Sequence, residues 1–306
     1  MEDHTILLSN GNRIPMMGLG TDNVFFISPP KTVANPYLNR LLQAYNHRFL
    51  KPRLNNQMAC RFAKAIKAGY RLIDTSAAYN NEQSIGKAIK ASGVARENLF
   101  ITTRCTNKMQ YNGSVREGFL QSLEKFGLEY IDLYMFHWPV PEHYLDTWRI
   151  MEELYEEGLV KNLGFANCHQ HHIEEILKIC KIRPVLNQVE IHPLFTQKPL
   201  IEYCRSEGIQ VEAYSPLAQN DGRLRKNKIL EEISRKYNKT KIQVIIRWHI
   251  DNGVIPVPRS MNVERMISNL NVFDFTLAAE EVAAIDSINI NSRLRYDPDN
   301  CDYTIL

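Results

Sequence analysis

The 306-residue chain has no apolar stretch approaching the roughly 20 residues that cross a bilayer, so no membrane-spanning helix is expected. Its start, Met1-Glu2-Asp3-His4, lacks a basic region followed by an apolar run, which reads as the absence of a signal peptide. The six cysteines (60, 105, 168, 180, 204 and 301) show no CxxC spacing. A chain this long needs no disulfide staples, so free thiols in a reducing cytoplasm are expected. Charge of one sign is also lacking: the net +3 is too small to draw in nucleic acid or an anionic membrane, and no basic run stands out. None of the fourteen glycines forms a GxGxxG, and Gly18-Leu19-Gly20 lacks the third, which argues against a Rossmann dinucleotide site. There is no linker, internal repeat or low-complexity segment.

What is present suits a soluble globular protein with ample core: 44% apolar residues against 23% charged. Ile6-Leu7-Leu8 and Arg13-Ile14-Pro15 flank Asn10-Gly11, a hairpin signal. Met16 to Thr21 follows as a small buried strand. The pattern is poor from Asp22 to about Gln57, where Pro29, Pro30, Pro36 and Pro52 interrupt it, although Tyr37 to Phe49 suits one amphipathic helix. Helical periodicity is clear from Met58 to Ala68, with Gly69 as its stop.

An alternation then sets in. Apolar runs occur at Arg71–Asp74, Leu99–Arg104, Ile131–His137, Leu163–Ala166, Val185–Glu190, Gln210–Tyr214 and Val254–Pro258. Amphipathic stretches separate them at Glu82–Ala91, Ser114–Phe126, Tyr144–Glu157, His169–Cys180, Lys198–Glu207 and Lys241–Asn252. Gly127, Gly158, Gly208 and Gly253 stand where left-handed helix caps belong. Short runs buried on both faces and alternating with helices mean a parallel sheet. With the Met16 strand the count is eight, the arithmetic of a closed (β/α)₈ barrel in a single domain spanning 1–306. Ile229–Tyr237 and Ala278–Ile288 are extra helices outside that count.

In such a barrel the chemistry lies at the C-terminal ends of strands. Those positions hold Thr21-Asp22, Asp74 with Tyr79, Arg104, His137-Trp138, Asn167, Gln188 with Glu190, Tyr214-Ser215 and Arg259-Ser260. Asp74, Tyr79, Arg104 and His137 fall on neighbouring strands, a set suited to proton transfer. Singly, each has a structural reading, a satisfied core histidine for His137 above all.

Taken together these stretches resemble the aldo-keto reductases over nearly the whole chain apart from about 22–57. Asp74-Thr75-Ser76-Ala77-Ala78-Tyr79-Asn80-Asn81-Glu82, with Gly86 downstream, resembles the family's first signature. Met135-Phe136-His137-Trp138-Pro139, Gly164-Phe165-Ala166-Asn167-Cys168, Asn187 to Pro193, Ala213 to Leu217, and Ile255 to Ser260 with Arg265 and Asn269 are similar to further family segments. The resemblance implies NADPH-dependent reduction of a small aldehyde or ketone. Tyr79 would donate the proton, with Asp74, Arg104 and His137 as its catalytic companions and Trp138 beside the substrate. Gly20, Thr21, Asp74, Asn167, Gln188, Tyr214, Ser215 and Leu217 would face the cofactor, Asn167 and Gln188 through its carboxamide. Arg259, Ser260, Asn262, Arg265 and Asn269 would hold the adenosine 2′-phosphate end. No metal is implied, and the expected form is a cytoplasmic monomer or weak dimer. The rival reading is an impaired enzyme that binds NADP(H) as a sensor.

Two departures stand out. The family's usual lysine falls at position 104, here Arg104, which keeps the charge and could form a forked pair with Asp74. Lys108 is a solvated loop lysine on the simplest reading. The segment from Asp22 to Gln57 is longer than the family's by roughly 25 residues, well beyond an ordinary βα connection. Phe25, Phe26, Tyr37, Tyr45 and Phe49 would either line the mouth or pack on neighbouring helices. Two further signals are set aside. Tyr237 and Lys241 match a YxxxK spacing by chance, and His169-Gln170-His171-His172 reads as solvated side chains at a helix start with no facing ligands.

Overall fold

The computed structural model describes residues 4–22 and 51–304. The candidate helix over 37–49 and the aromatic residues from Phe25 to Phe49 lie outside them. Strands β1 (Thr5–Leu7) and β2 (Arg13–Pro15) form the expected hairpin, with Ile6 opposite Ile14. Leu8 and Ile14 turn inward and join Leu72, Phe100, Leu133, Leu186 and Ile255 in one apolar cluster. These are the first interior residues of the barrel strands, so the hairpin plugs the N-terminal end and leaves the opposite mouth for the site.

The barrel strands are β3 (Gly18–Gly20), β4 (Leu72–Asp74), β5 (Phe100–Cys105), β6 (Leu133–Phe136), β7 (Leu163–Ala166), β8 (Leu186–Glu190), β9 (Gln210–Tyr214) and β10 (Ile255–Pro256). They pair in sequence order, all parallel. The first and last meet through a bridge between Gly20 and Arg259, the Gly20 amide donating to the Pro258 carbonyl at 3.2 Å. A Cβ on Gly20 would stand 2.6 Å from the Val257 carbonyl oxygen, so only glycine permits this closure. The run Val254–Pro258 contributes a ladder of two residues only, because Pro256 and Pro258 have no N–H to donate.

The helices follow the amphipathic stretches within a few residues. Gly127, Gly158, Gly208 and Gly253 all have positive φ, as left-handed caps require. Sequence periodicity starts the first described helix at Met58, whereas the structure carries it from Lys51 to Ala68. Among the described residues three short α-helices have no counterpart in the sequence reading: Asn107–Tyr111, Gly222–Arg225 and Val263–Leu270. Among the described residues no helix is long and apolar enough to cross a membrane.

Side chains alternate across each strand. Ile73, Ile101, Tyr134, Phe136, Phe165, Val189 and Val211 pack outward against the helices. Leu72, Phe100, Leu133, Met135, Leu186 and Ile255 point inward. The same alternation turns Asp74, Thr102, Arg104, Gln188, Glu212 and Tyr214 into the barrel. An apolar layer near the plug therefore carries a polar layer towards the open mouth.

Candidate active site

The signature loop after β4 builds itself from local hydrogen bonds. The Ser76 hydroxyl accepts from the Ala78 amide at 3.2 Å, starting a single 3₁₀ turn over Ala77–Tyr79, and Asn80 closes it in the left-handed conformation. That turn folds Tyr79 back over the strand end. Asn81 is fully buried and braces the turn, donating to the Thr21 carbonyl at 2.7 Å and accepting from the Thr75 hydroxyl at 2.6 Å. Thr21 in turn donates its hydroxyl to the Asp74 carbonyl at 2.8 Å. Loops after β3 and β4 are thus one unit.

Asp74, Tyr79, Arg104 and His137 come together as the sequence implies. Arg104, 1% exposed, donates through one terminal nitrogen to Asp74 Oδ2 at 2.9 Å and lies 3.4 Å from the Tyr79 hydroxyl through the same nitrogen. Its guanidinium carbon is 5.5 Å from the centre of the Tyr79 ring. The forked pair open to Arg104 is not formed. Asp74 Oδ1 is already occupied by the Thr102 hydroxyl and the Gln188 amide, both at 2.9 Å, and the second Arg104 nitrogen donates to Gln188 Oε1 instead. Lys108 is exposed on the helix Asn107–Tyr111, as a solvated lysine should be.

Burial raises the half-buried Tyr79 phenol, Arg104 opposes it and Asp74 adds to it, leaving it at about 12. His137 is pushed down to about 3, first by burial and then by the charges of Arg104 and Arg295, so its imidazole is neutral. The Tyr79 and His137 rings meet edge to face at 5.9 Å, and His137 Nδ1 lies 3.4 Å from the Ser76 hydroxyl.

On the adjoining side, Asn167 has positive φ and donates to the His137 carbonyl at 3.0 Å while accepting from the Tyr214 hydroxyl at 2.8 Å. Gln188 lies deeper, its amide engaged with Asp74, Arg104 and Glu212. Ser215 has φ +48° and Leu217 is half-buried beside it. Further round the rim, Asn262 caps the helix Val263–Leu270 by accepting from the Arg265 amide at 2.7 Å. Arg259 and Arg265 are exposed there, Ser260 braces Asn262, and Asn269 is buried. Two guanidiniums at a helix N-terminus are the donor set a phosphate needs. Arg259 pairs with Asp22 at 3.3 Å, and Arg295 of the C-terminal tail approaches the same carboxylate at 3.6 Å. Trp138 is buried against Val140 and Tyr303, beneath that tail.

Several functional positions escape the sequence reading. Ser76, Asn81 and Thr102 brace the rim, and Glu212 places a second buried carboxyl beside Asp74. A charged residue in the middle of a strand buried on both faces is the signal that could have found Glu212. The histidine run also needs correction. Asp299 of the tail faces it, 2.7 Å from His169 Nδ1 and 3.4 Å from His171 Nε2, and His172 is buried. His172 Nδ1 accepts from the His169 amide at 3.2 Å, so its lone pair there serves as a helix cap. The cluster anchors the tail. The other signal set aside keeps its reading: Tyr237 donates to Glu281 and Lys241 pairs with Glu231.

The model of the Aldo/keto reductase family matches residues 55–290, and the chain belongs to that family. It is 47% identical over 235 residues to the glyoxal reductase of Bacillus subtilis (strain 168), covering 77% of this chain and 84% of that one. It is 42% identical over 247 residues to the methylglyoxal reductase DkgA of Escherichia coli (strain K12), covering 80% and 89%. Among solved structures it resembles a Bombyx mori aldo-keto reductase in complex with NADP, with a TM-score of 0.82 and 34% identity over 98% of this chain and 97% of that one.

Proposed function

We propose that this single barrel domain reduces a small aldehyde or ketone to an alcohol at the expense of NADPH, with 2-oxoaldehydes such as glyoxal and methylglyoxal as the first substrates to test. The observation that carries the reading is the Asp74–Arg104–Tyr79 array at the barrel mouth, with a neutral His137 beside it. The two reductases named above support the substrate class, and the NADP complex of the Bombyx mori protein supports the cofactor.

NADPH, when bound, supplies the hydride. Arg259, Ser260, Asn262, Arg265 and Asn269 hold its adenosine phosphate end, while Gly20, Thr21, Ser215 and Leu217 line its middle. Asn167 and Tyr214 would form the nicotinamide side, with Asp74 and Gln188 buried beneath them and engaged with Arg104. The remaining chemistry belongs to side chains. His137, neutral and fixed through Ser76, donates a hydrogen bond to the carbonyl oxygen and orients it, and Trp138 walls the substrate. Tyr79 then gives its proton to that oxygen. A phenol this hard to ionise holds its proton throughout the neutral range, which suits an acid better than a base. Arg104 stabilises the phenolate left behind, and Asp74 holds Arg104.

The test is NADPH oxidation at 340 nm with glyoxal, methylglyoxal and a panel of small aldehydes, beside cofactor binding followed by tryptophan fluorescence. Binding with turnover supports the reductase. Binding without any turnover would favour a cofactor sensor instead.

A further inference from the structure

Among the described residues, the barrel interior below the mouth holds one cation for two carboxyls. Arg104, Asp74, Gln188 and Glu212 are all fully or nearly fully buried, and the adjoining interior residues Leu72, Leu133, Met135 and Ile255 are apolar. The two N–H groups of Gln188 are both spent: its amide nitrogen donates to Asp74 Oδ1 at 2.9 Å and to Glu212 Oε1. With its nitrogen fixed between two acceptors, the amide presents its oxygen to Arg104. That contact occupies one terminal nitrogen of the guanidinium and leaves the other to bridge Asp74 and Tyr79.

We propose that Glu212 is a positioning residue for the reduction, fixing the orientation of the Gln188 amide and, through it, turning Arg104 towards Tyr79. The proposal rests on the reductase reading of the site. Glu212 lies on β9 directly beside Gln188 in the register of the sheet. Were Gln188 flipped, its N–H groups would face the Arg104 guanidinium and its oxygen the Asp74 carboxylate, and it would keep Glu212 only by drawing that carboxyl's proton towards itself.

Charge balance fixes the form in which Glu212 works. Two ionised carboxylates against one guanidinium would leave an unpaired negative charge in the barrel, an expensive state. Burial first, and the Asp74 charge second, push the Glu212 carboxyl well above the usual carboxylate range, which favours its uncharged form. The groups facing it are Asp74 from β4, Arg104 from β5 and the Gln188 amide from β8, with Tyr79 beyond Arg104. Among the described residues, Glu212 Oε2 and Arg104 Nε have no hydrogen-bond partner. Once ionised, Glu212 therefore competes with Tyr79 for the guanidinium, and catalysis weakens. Tyr79 at about 12 and His137 at about 3 titrate too far away to produce that limb themselves.

The experiment compares wild type, Glu212→Gln and Glu212→Leu. Steady-state kinetics with methylglyoxal and NADPH run from pH 6 to 9.5, and melting temperatures of the cofactor-free proteins are followed from pH 5 to 9. The wild-type kcat should fall towards the alkaline end of that range while the Glu212→Gln profile stays flat, with the carbonyl KM of both within about twofold. Glu212→Leu, which offers Gln188 no acceptor, should lose about tenfold in kcat at pH 7. A carboxyl whose folded pKa is raised loses stability as pH climbs from its unfolded value to its folded one, so wild type should melt progressively lower than Glu212→Gln across that window. Superimposable pH–rate profiles, together with a melting difference that does not vary with pH, would overturn the proposal. Absence of wild-type turnover with every carbonyl would instead overturn the reductase reading, and the melting comparison would still decide whether Glu212 carries the buried proton.

Discussion

Arg104 sits at the centre of the buried polar layer, and its neighbours determine what can replace it. Methionine would leave Asp74 buried without its cation, with Asp74 only 4% exposed. Arg104→Met should therefore cost about 3–5 kcal/mol in urea unfolding and abolish turnover. Arg104→Lys keeps the ion pair but gives up the contact with Gln188. Its compact charge concentrates near Asp74 and Tyr79, so the variant should fold normally and the alcohol-oxidation limb, which needs the Tyr79 phenolate, should begin at lower pH than in wild type. An unchanged limb would mean that Arg104 does not govern Tyr79. The aspartate, arginine and histidine were legible because each ends an apolar run, and the tyrosine because it stands in the loop just after the first of them. Glu212 was not, since Gln210–Tyr214 shows which residues alternate but not which face looks into the barrel. The Asp299–His169 contact joins residues 130 apart in sequence, and no local pattern reports it.

At the scale of elements, the signature loop is held by its two flanks. One is the Asn81 brace; the other is the helix Glu82–Ser92, which lies so close to the helix Val115–Phe126 that a Cβ on Gly86 would stand 2.1 Å from the Phe126 carbonyl oxygen. Because the obstacle is backbone, Gly86→Ala must push the two helices apart. The expected loss is about 1–3 kcal/mol, read as a lower urea midpoint, and the displaced helix start should also disturb Tyr79 and reduce kcat. A variant with wild-type stability would contradict this packing. Strands were easier to read than the helix Val263–Leu270, whose eight residues follow directly on the polar stretch Ser260–Asn262 and give periodicity little length to register. Two prolines likewise hid how short the last strand's ladder is.

For the whole molecule, the barrel separates its ends by polarity: an apolar plug at the hairpin and charge at the mouth. Acid should attack this design through its neutral histidines. His249 is fully buried, donates its Nε2–H to the Pro216 carbonyl at 3.0 Å, and is pushed down to about 3, chiefly by burial. A histidine with a depressed folded pKa binds its proton more readily unfolded, so its contribution is intact above about 6.5 and is lost as pH falls towards 3. Melting temperature should decline through that range, and His249→Gln should flatten the decline even if it lowers the plateau. The barrel was legible because eight short runs alternate with helices; the closure at Gly20, and the inward polar layer, depend on a register that only the folded sheet defines.

The central claim is that Tyr79 supplies the proton. It is tested most directly by stopped-flow NADPH oxidation with methylglyoxal for wild type and Tyr79→Phe, with the NADPH dissociation constant measured on the same preparations. The ring is retained in the variant and only the hydroxyl is lost. Cofactor affinity should stay within about threefold while the rate falls at least about a hundredfold. A variant that binds NADPH equally and turns over at the wild-type rate would contradict the assignment.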